Sequence, residues 1–193
     1  MHRAFDEATA VLAGDSLLAL AFEILAAPDT HPDAEVRSQL IVELARSVGA
    51  DGMAGGQMMD LAAAGEGDLN SVTRLQRLKT GALIAWCLDA GAIMGRARAE
   101  DRTALRGYAQ CLGLAFQIAD DLLDLEGNEV RVGKKVGKDE AQGKDTYLSL
   151  LGPERARAQA AMLVDQAVDH LRTFGEEGRL LQAIARFAVA RDH

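Results

Sequence analysis

Apolar positions recur at helical spacing along almost the whole chain, and no stretch alternates apolar and polar residues as a half-buried strand would. The first run, Phe5, Ala8, Leu12, Ser16, Ala19, Phe22 and Leu25, predicts a helix that ends before Pro28. A second opens at Asp33 after Pro32, continues through Val36, Leu40, Leu44 and Val48, and stops at Gly49. Its first residue can cap a helix and its last can end one. A shorter helix is expected over Gly52 to Ala64. Ser71 is the expected N-cap of a long segment (Val72, Leu75, Leu78, Leu83, Trp86, Leu88) running to about Gly95, with Gly81 a tolerated weak point. A fifth helix is expected from about Ala99 to Glu126, with Leu105, Tyr108, Leu112, Phe116, Ala119 and Leu123 on its inner stripe. Gly127 to Gly143 has no helical period and reads as a long loop, of the kind that carries function in compact domains. Tyr147 to Leu151, Glu154 to Phe174 and Arg179 to about Arg191 return to helical patterning. The predicted fold class is all-α, an antiparallel helical bundle, in one domain covering residues 1–193.

Composition agrees with packed helices: aromatics are only 4% of the 193 residues while hydrophobic residues reach 49%, so Ala, Leu, Val and Ile supply the core. The longest stretch without a charged residue, Gly107 to Ala119, falls short of the roughly 20 residues of a membrane-spanning helix, so no membrane span is expected. Asp6 and Glu7 interrupt the start, so no signal peptide is expected and the predicted compartment is the cytoplasm. A net charge of -8 argues against nucleic acid as a partner, because phosphate contacts need a basic face. Cys87 and Cys111 stand outside any CxxC spacing and the four histidines are scattered, so neither zinc nor a His-based dyad is indicated.

The chemistry must come from other groups. Near the end of the fifth predicted helix stands Asp120-Asp121-Leu122-Leu123-Asp124, preceded by Gln117. At 3.6 residues per turn, residues 117, 120, 121 and 124 share one face while the leucines turn toward packing. Like charges at these spacings repel, and carboxylates in a helix's last turns oppose its macrodipole. A bound cation repairs both faults, and a set of oxygen ligands without His or Cys selects Mg²⁺ where phosphate adds further ligands. A solvated acidic face is the plain alternative. Downstream, Arg131, Lys134, Lys135, Lys138 and Lys144 outnumber Asp139 and Glu140, a local excess of positive charge in an acidic chain. Lysines and glycine-freed amides beside a carboxylate-bound cation suit a diphosphate, whereas an exposed basic turn needs no ligand. Gly137 to Lys144 nearly spells a nucleotide P-loop, but it is one residue too long, Asp145 replaces the required hydroxyl, and no strand precedes it. Gly55-Gly56-Gln57 with Asp60, and Lys79-Thr80-Gly81 ahead of an apolar run, are weaker signals. A snorkelling lysine is the ordinary account of the latter.

Taken in order, Phe5-Asp6-Glu7-Ala8 with Leu12-Ala13-Gly14-Asp15, Gly56-Gln57 with Asp60-Leu61, Lys79-Thr80-Gly81-Ala82-Leu83, Phe116-Gln117 with Asp120-Asp121-Leu122-Leu123-Asp124, Gly133-Lys134 and Gly143-Lys144 resemble the polyprenyl synthetase family, nearest its bacterial farnesyl diphosphate synthases. The resemblance implies a helical bundle of the isoprenoid synthase type that forms homodimers. It also implies Mg²⁺-dependent condensation of an allylic diphosphate (dimethylallyl or geranyl) with isopentenyl diphosphate to give farnesyl diphosphate. Asp120, Asp121 and Asp124 resemble the second aspartate-rich motif, with Asp120 at the position most directly on metal and Asp60 an outer metal-site member. Lys79 and Lys134 resemble lysines that clamp the allylic diphosphate, Lys144 and Asp139 outer members of the site, and Arg191 a C-terminal basic group near isopentenyl diphosphate. Thr80 and Gln117 resemble polar groups beside the reacting carbon, so Lys79, Thr80, Gln117 and Asp120 are the expected catalytic set.

The resemblance covers only the C-terminal two-thirds of such enzymes. The first aspartate-rich motif, the Arg-Arg after it and the upstream Gly-Lys-Arg region do not occur in these residues, which hold a single DDxxD. The expected isolated chain is therefore inactive, and the second reading is a catalytically inactive helical scaffold or partner subunit.

Overall fold

The computed structural model describes residues 1–63, 67–132 and 145–190, with the side chains of residues 126–132 excepted. The described residues form helices α1 (Glu7–Ala26), α2 (Ala34–Val48), α3 (Met53–Ala62), α4 (Leu69–Gln76), α5 (Ala82–Met94), α6 (Ala99–Val132), α7 (Tyr147–Leu151), α8 (Pro153–His170) and α9 (Arg179–Ala190). No strand occurs among them, as the periodicity predicts. A π turn, Arg77–Gly81, joins α4 to α5, and a 3₁₀ segment, Arg172–Gly178, joins α8 to α9.

The bundle is organised around α6. Tyr108, Leu112, Ala115, Ile118, Ala119 and Leu122 make one buried stripe on it, the spacing of a helix that faces its partners through three- and four-residue steps. The most extensive of these contacts is with α8, which presents Ala156, Ala160, Leu163, Val164 and Ala167. The alanines on both surfaces let the two helix axes approach closely. Ala185 and Ala188 bring α9 onto the same core, and the Tyr108 hydroxyl donates to the Leu181 carbonyl oxygen at 2.7 Å. A smaller cluster, Val36, Leu40 and Ile93, joins α2 to α5, with Leu25 of α1 at its edge.

Several boundaries depart from expectation for local reasons. The cap of α4 is Asp68 rather than Ser71: the Asp68 carboxylate accepts the Ser71 N–H at 2.8 Å, which leaves Ser71 inside the first turn. The loop predicted from Gly127 does not open there, because α6 runs on to Val132, and the rest of the predicted loop lies outside the described residues. A lone helical glycine costs only about 1 kcal/mol, and continuing the ladder outweighs it. The helix expected to reach Phe174 ends at His170, and Gly175 then takes a positive φ of 54° that only glycine adopts without strain.

Helix α1 bears on the expectation that no membrane span is present. By length and composition it is long and apolar enough, since its leucines outweigh Glu7, Asp15 and Glu23. Asp15 in mid-helix weighs against a spanning orientation, because a carboxylate at the bilayer centre costs about 3 kcal/mol. None of α1 is buried, and Leu12, Leu17, Leu20 and Ile24 lie exposed.

Candidate active site

Four helical elements converge beside the acidic face of α6. Asp60, Lys79, Gln117, Asp120, Asp121, Asp124 and Asp145 line a cavity of about 320 Å³, floored by Val72 and Leu75 of α4. That is the lower end of the size range of small-ligand pockets. Gln117, Asp120, Asp121 and Asp124 face one space, as their helical spacing predicts, while Leu122 turns into the core at 8% exposure. One of the two penalties expected for the acidic face disappears. Because α6 continues to Val132, the three aspartates lie outside its last turn, where the macrodipole acts, and only their mutual repulsion remains.

The weaker sequence signals join this site. The Lys79 ammonium pairs with the Asp60 carboxylate at 3.1 Å, their side chains 33% and 16% exposed. The Thr80 hydroxyl donates to Gln117 Oε1 at 2.9 Å, which fixes the Gln117 amide on the cavity wall. Adjacent residues of the π turn thus reach opposite neighbours, Lys79 to α3 and Thr80 to α6. Lys79 is therefore an ion-paired wall residue rather than a snorkelling one. Lys134, Lys144, Asp139 and Arg191 lie outside the described residues.

Three lining residues escape the sequence reading. Asp145 and Thr146 enter from the start of α7, and the Asp145 carboxylate accepts the Gly67 N–H at 2.6 Å. Gln76 is the third, and its Oε1 is buried with no hydrogen-bond partner among the described residues. No local period links these residues to the DDxxD; only the tertiary fold does. Next to Thr146, the buried Tyr147 donates its hydroxyl to Thr73 Oγ1 at 2.8 Å. Burial pushes the Tyr147 pKa up, and the nearby Asp121 charge adds to the rise.

Charge decides what this cavity accepts. Among the described lining residues five aspartates stand against one lysine, so over these residues an anion meets more negative than positive charge. Among the described residues no three carboxylates converge on a single point. That arrangement fits Mg²⁺, which keeps several waters and is held by one or two carboxylates together with phosphate oxygens. The donor set is oxygen throughout, and the orphaned Gln76 Oε1 is an acceptor suited to a metal-bound water.

Comparison with known proteins agrees with the fold and the family resemblance. The chain is 40% identical over 196 residues to the farnesyl diphosphate synthase of Geobacillus stearothermophilus, covering all of this chain and 65% of that one. It is 39% identical over 194 residues to the geranylgeranyl diphosphate synthase of Cyanophora paradoxa, again covering all of this chain and 65% of the relative. The crystal structure of an FPP/GFPP synthase from Zymomonas mobilis superposes with a TM-score of 0.86 at 53% identity, over 97% of this chain and 63% of that chain. A geranyltransferase from Helicobacter pylori, complexed with magnesium and isoprenyl diphosphate, gives a TM-score of 0.81 at 29% identity, over 98% of this chain and 62% of the other. The chain thus spans somewhat less than two-thirds of the length of these relatives. Residues 1–186 match the polyprenyl synthetase family, and the chain belongs to it.

Proposed function

We propose that the chain belongs to a prenyltransferase that condenses an allylic diphosphate, dimethylallyl or geranyl, with isopentenyl diphosphate to give farnesyl diphosphate. The observation that carries the reading is the single cavity in which Asp60, Asp120, Asp121, Asp124, Lys79 and Gln117 meet. Mg²⁺ held by these carboxylates would supply charge stabilisation to the departing diphosphate. Lys79 exchanges its pairing with Asp60 for a diphosphate oxygen, and Asp120, Asp121 and Asp124 are the residues that would hold Mg²⁺ beside that diphosphate. Gln117, fixed by Thr80, presents its amide dipole beside the carbon that ionises. Lys134, Lys144 and Arg191 contribute positive charge toward the two diphosphates.

Residues 1–193 alone are proposed to lack condensation activity. They carry one aspartate-rich motif, and clamping and positioning are each worth several powers of ten in rate. The exposed apolar side of α1 supports a chain that works inside a larger assembly, a homodimer in this reading. Calorimetry with inorganic pyrophosphate tests the site: binding requires Mg²⁺, and Asp120→Ala abolishes that dependence. Equal binding in chelator refutes the reading. Radiolabelled isopentenyl diphosphate converted to farnesyl diphosphate by this chain alone, at a rate lost in Asp120→Ala, refutes the inactivity.

A further inference from the structure

The π turn that delivers Lys79 and Thr80 is gripped from two sides where side chains are missing. On the α3 side, a Cβ added to Gly56 would overlap the Lys79 amide nitrogen, and would lie 2.7 Å from Lys79 Cα and 2.8 Å from the Leu78 carbonyl carbon. All three atoms are backbone, so no rotamer change relieves the overlap. On the α6 side, a Cβ on Gly113 would lie 3.2 Å from Gly81 Cα. Asp60 stands one helical turn beyond Gly56 on α3, and Gln117 one turn beyond Gly113 on α6, so each close approach is followed by the hydrogen-bond partner of the residue it seats.

We propose that Gly56 and Gly113 are positioning residues: backbone contact at these two points sets the π turn so that Lys79 meets Asp60 and Thr80 meets Gln117 at the cavity wall. The proposal deepens the prenyl-transfer reading and rests on it for its functional consequence. A π turn inserts an extra residue into a helix and reorients the side chains around it. Left unclamped, that extra residue has no fixed direction. The two glycines restrict that freedom by letting backbone meet backbone, which a Cβ at Gly56 forbids and a Cβ at Gly113 would push apart by a few tenths of an ångström.

Lys79 is the only lysine outside residues 134–144, so its modification by an amine-reactive ester is read on its own peptide by mass spectrometry. In Gly56→Ala we expect Lys79 labelling to rise by about two- to fivefold, the factor that loss of one part-exposed ion pair corresponds to. Adding Asp60→Asn to Gly56→Ala produces no further rise, because both act on one pair. Calorimetric affinity for pyrophosphate with Mg²⁺ falls by about tenfold or more. Gly91→Ala is the control, since a Cβ there meets nothing within 4 Å, and it moves neither readout.

If circular dichroism shows Gly56→Ala unfolded, Gly113→Ala carries the same two measurements, because its closer contact needs a shift of only a few tenths of an ångström. A folded Gly56→Ala or, in that case, a folded Gly113→Ala with unchanged Lys79 labelling and unchanged pyrophosphate affinity overturns the proposal. Absence of pyrophosphate binding in the parent chain counts against prenyl transfer, and the labelling result, which needs no ligand, then decides the positioning role by itself.

Discussion

Tyr108→Phe isolates one bond that holds the carboxylate helix to the rest of the bundle. The Tyr108 ring is fully buried on α6 and its hydroxyl donates to the Leu181 carbonyl oxygen at the start of α9, so the substitution removes one oxygen and leaves the ring packing in place. Removing a buried hydrogen bond of this kind costs about 1 kcal/mol, and the Leu181 oxygen keeps its place in the α9 ladder. For a chain of this size that loss lowers Tm by about 2–4 °C at pH 7. Burial also pushes the Tyr108 pKa up to about 12 from its ordinary 10. A phenol whose folded pKa is raised contributes stability that is fully present below pH 10 and is lost as pH climbs through 12, because the unfolded chain ionises first. The parent protein therefore gives up about 1.4 kcal/mol by pH 11, whereas the Phe variant gives up none of this contribution. The two stability curves cross near pH 11. Urea unfolding followed by far-UV circular dichroism between pH 7 and pH 11.5 reads the difference directly, since all other groups titrate in both proteins. Parallel curves across that range, or a Phe variant as stable as the parent at pH 7, refute the reasoning.

Sedimentation velocity should show concentration-dependent association through α1, and replacing Leu12, Leu17, Leu20 and Ile24 with glutamine should shift the distribution toward monomer; a single compact monomer at every concentration counts against it. Arg96→Gly should raise Tm by about 2 °C, because Arg96 sits at φ 48° in the helix-ending turn of α5 while its pairing with Asp33 is largely exposed; an unchanged or lower Tm in thermal melts speaks against that strain. The capping carboxyls Asp6, Asp33 and Asp68 are held below their ordinary pKa, chiefly by backbone N–H groups, so their contribution is present above that ordinary value and is lost as pH falls through the lowered one. Asp68→Asn, which keeps a capping oxygen, should show a smaller loss of melting temperature between pH 5 and pH 2 than the parent.

What the sequence reveals divides along the range of the interactions involved. Helix α2 is bounded by Asp33 and Gly49 as its local chemistry requires, and the shared face of Gln117, Asp120, Asp121 and Asp124 follows from helical period alone. Where two local solutions compete, the reading slips by a turn. Asp68 and Ser71 are both good caps, three residues apart, and Asp68 prevails because its carboxylate takes the Ser71 N–H while the Ser71 hydroxyl donates back to the Asp68 carbonyl. The DDxxD is misplaced relative to its helix end for a similar reason, since Gly127 weakens α6 without breaking it. The meeting of Asp60 with Lys79, and the entry of Gln76 and Asp145 into the cavity, depend on how α3, α4 and α7 pack on α6, and no period within one helix encodes that.

The acidic face then acquires a physical meaning that neither spacing nor packing supplies separately. Three aspartates within two turns of α6 destabilise one another, and tertiary packing adds Asp60 and Asp145 to the same cavity instead of separating them. A fold gathers such charges without loss when a cation occupies the space between them. In the proposed function a diphosphate and Mg²⁺ would each supply what the other lacks: the metal would offset repulsion between phosphate and carboxylates, and the phosphate would complete a coordination that no three carboxylates among the described residues provide. Each would then raise the affinity of the other by the same factor, as linkage requires. Lys79 sits at the hinge of that exchange. Its pairing with Asp60 holds one carboxylate in check, and in the proposed function a cation that neutralised Asp60 would free the lysine toward phosphate.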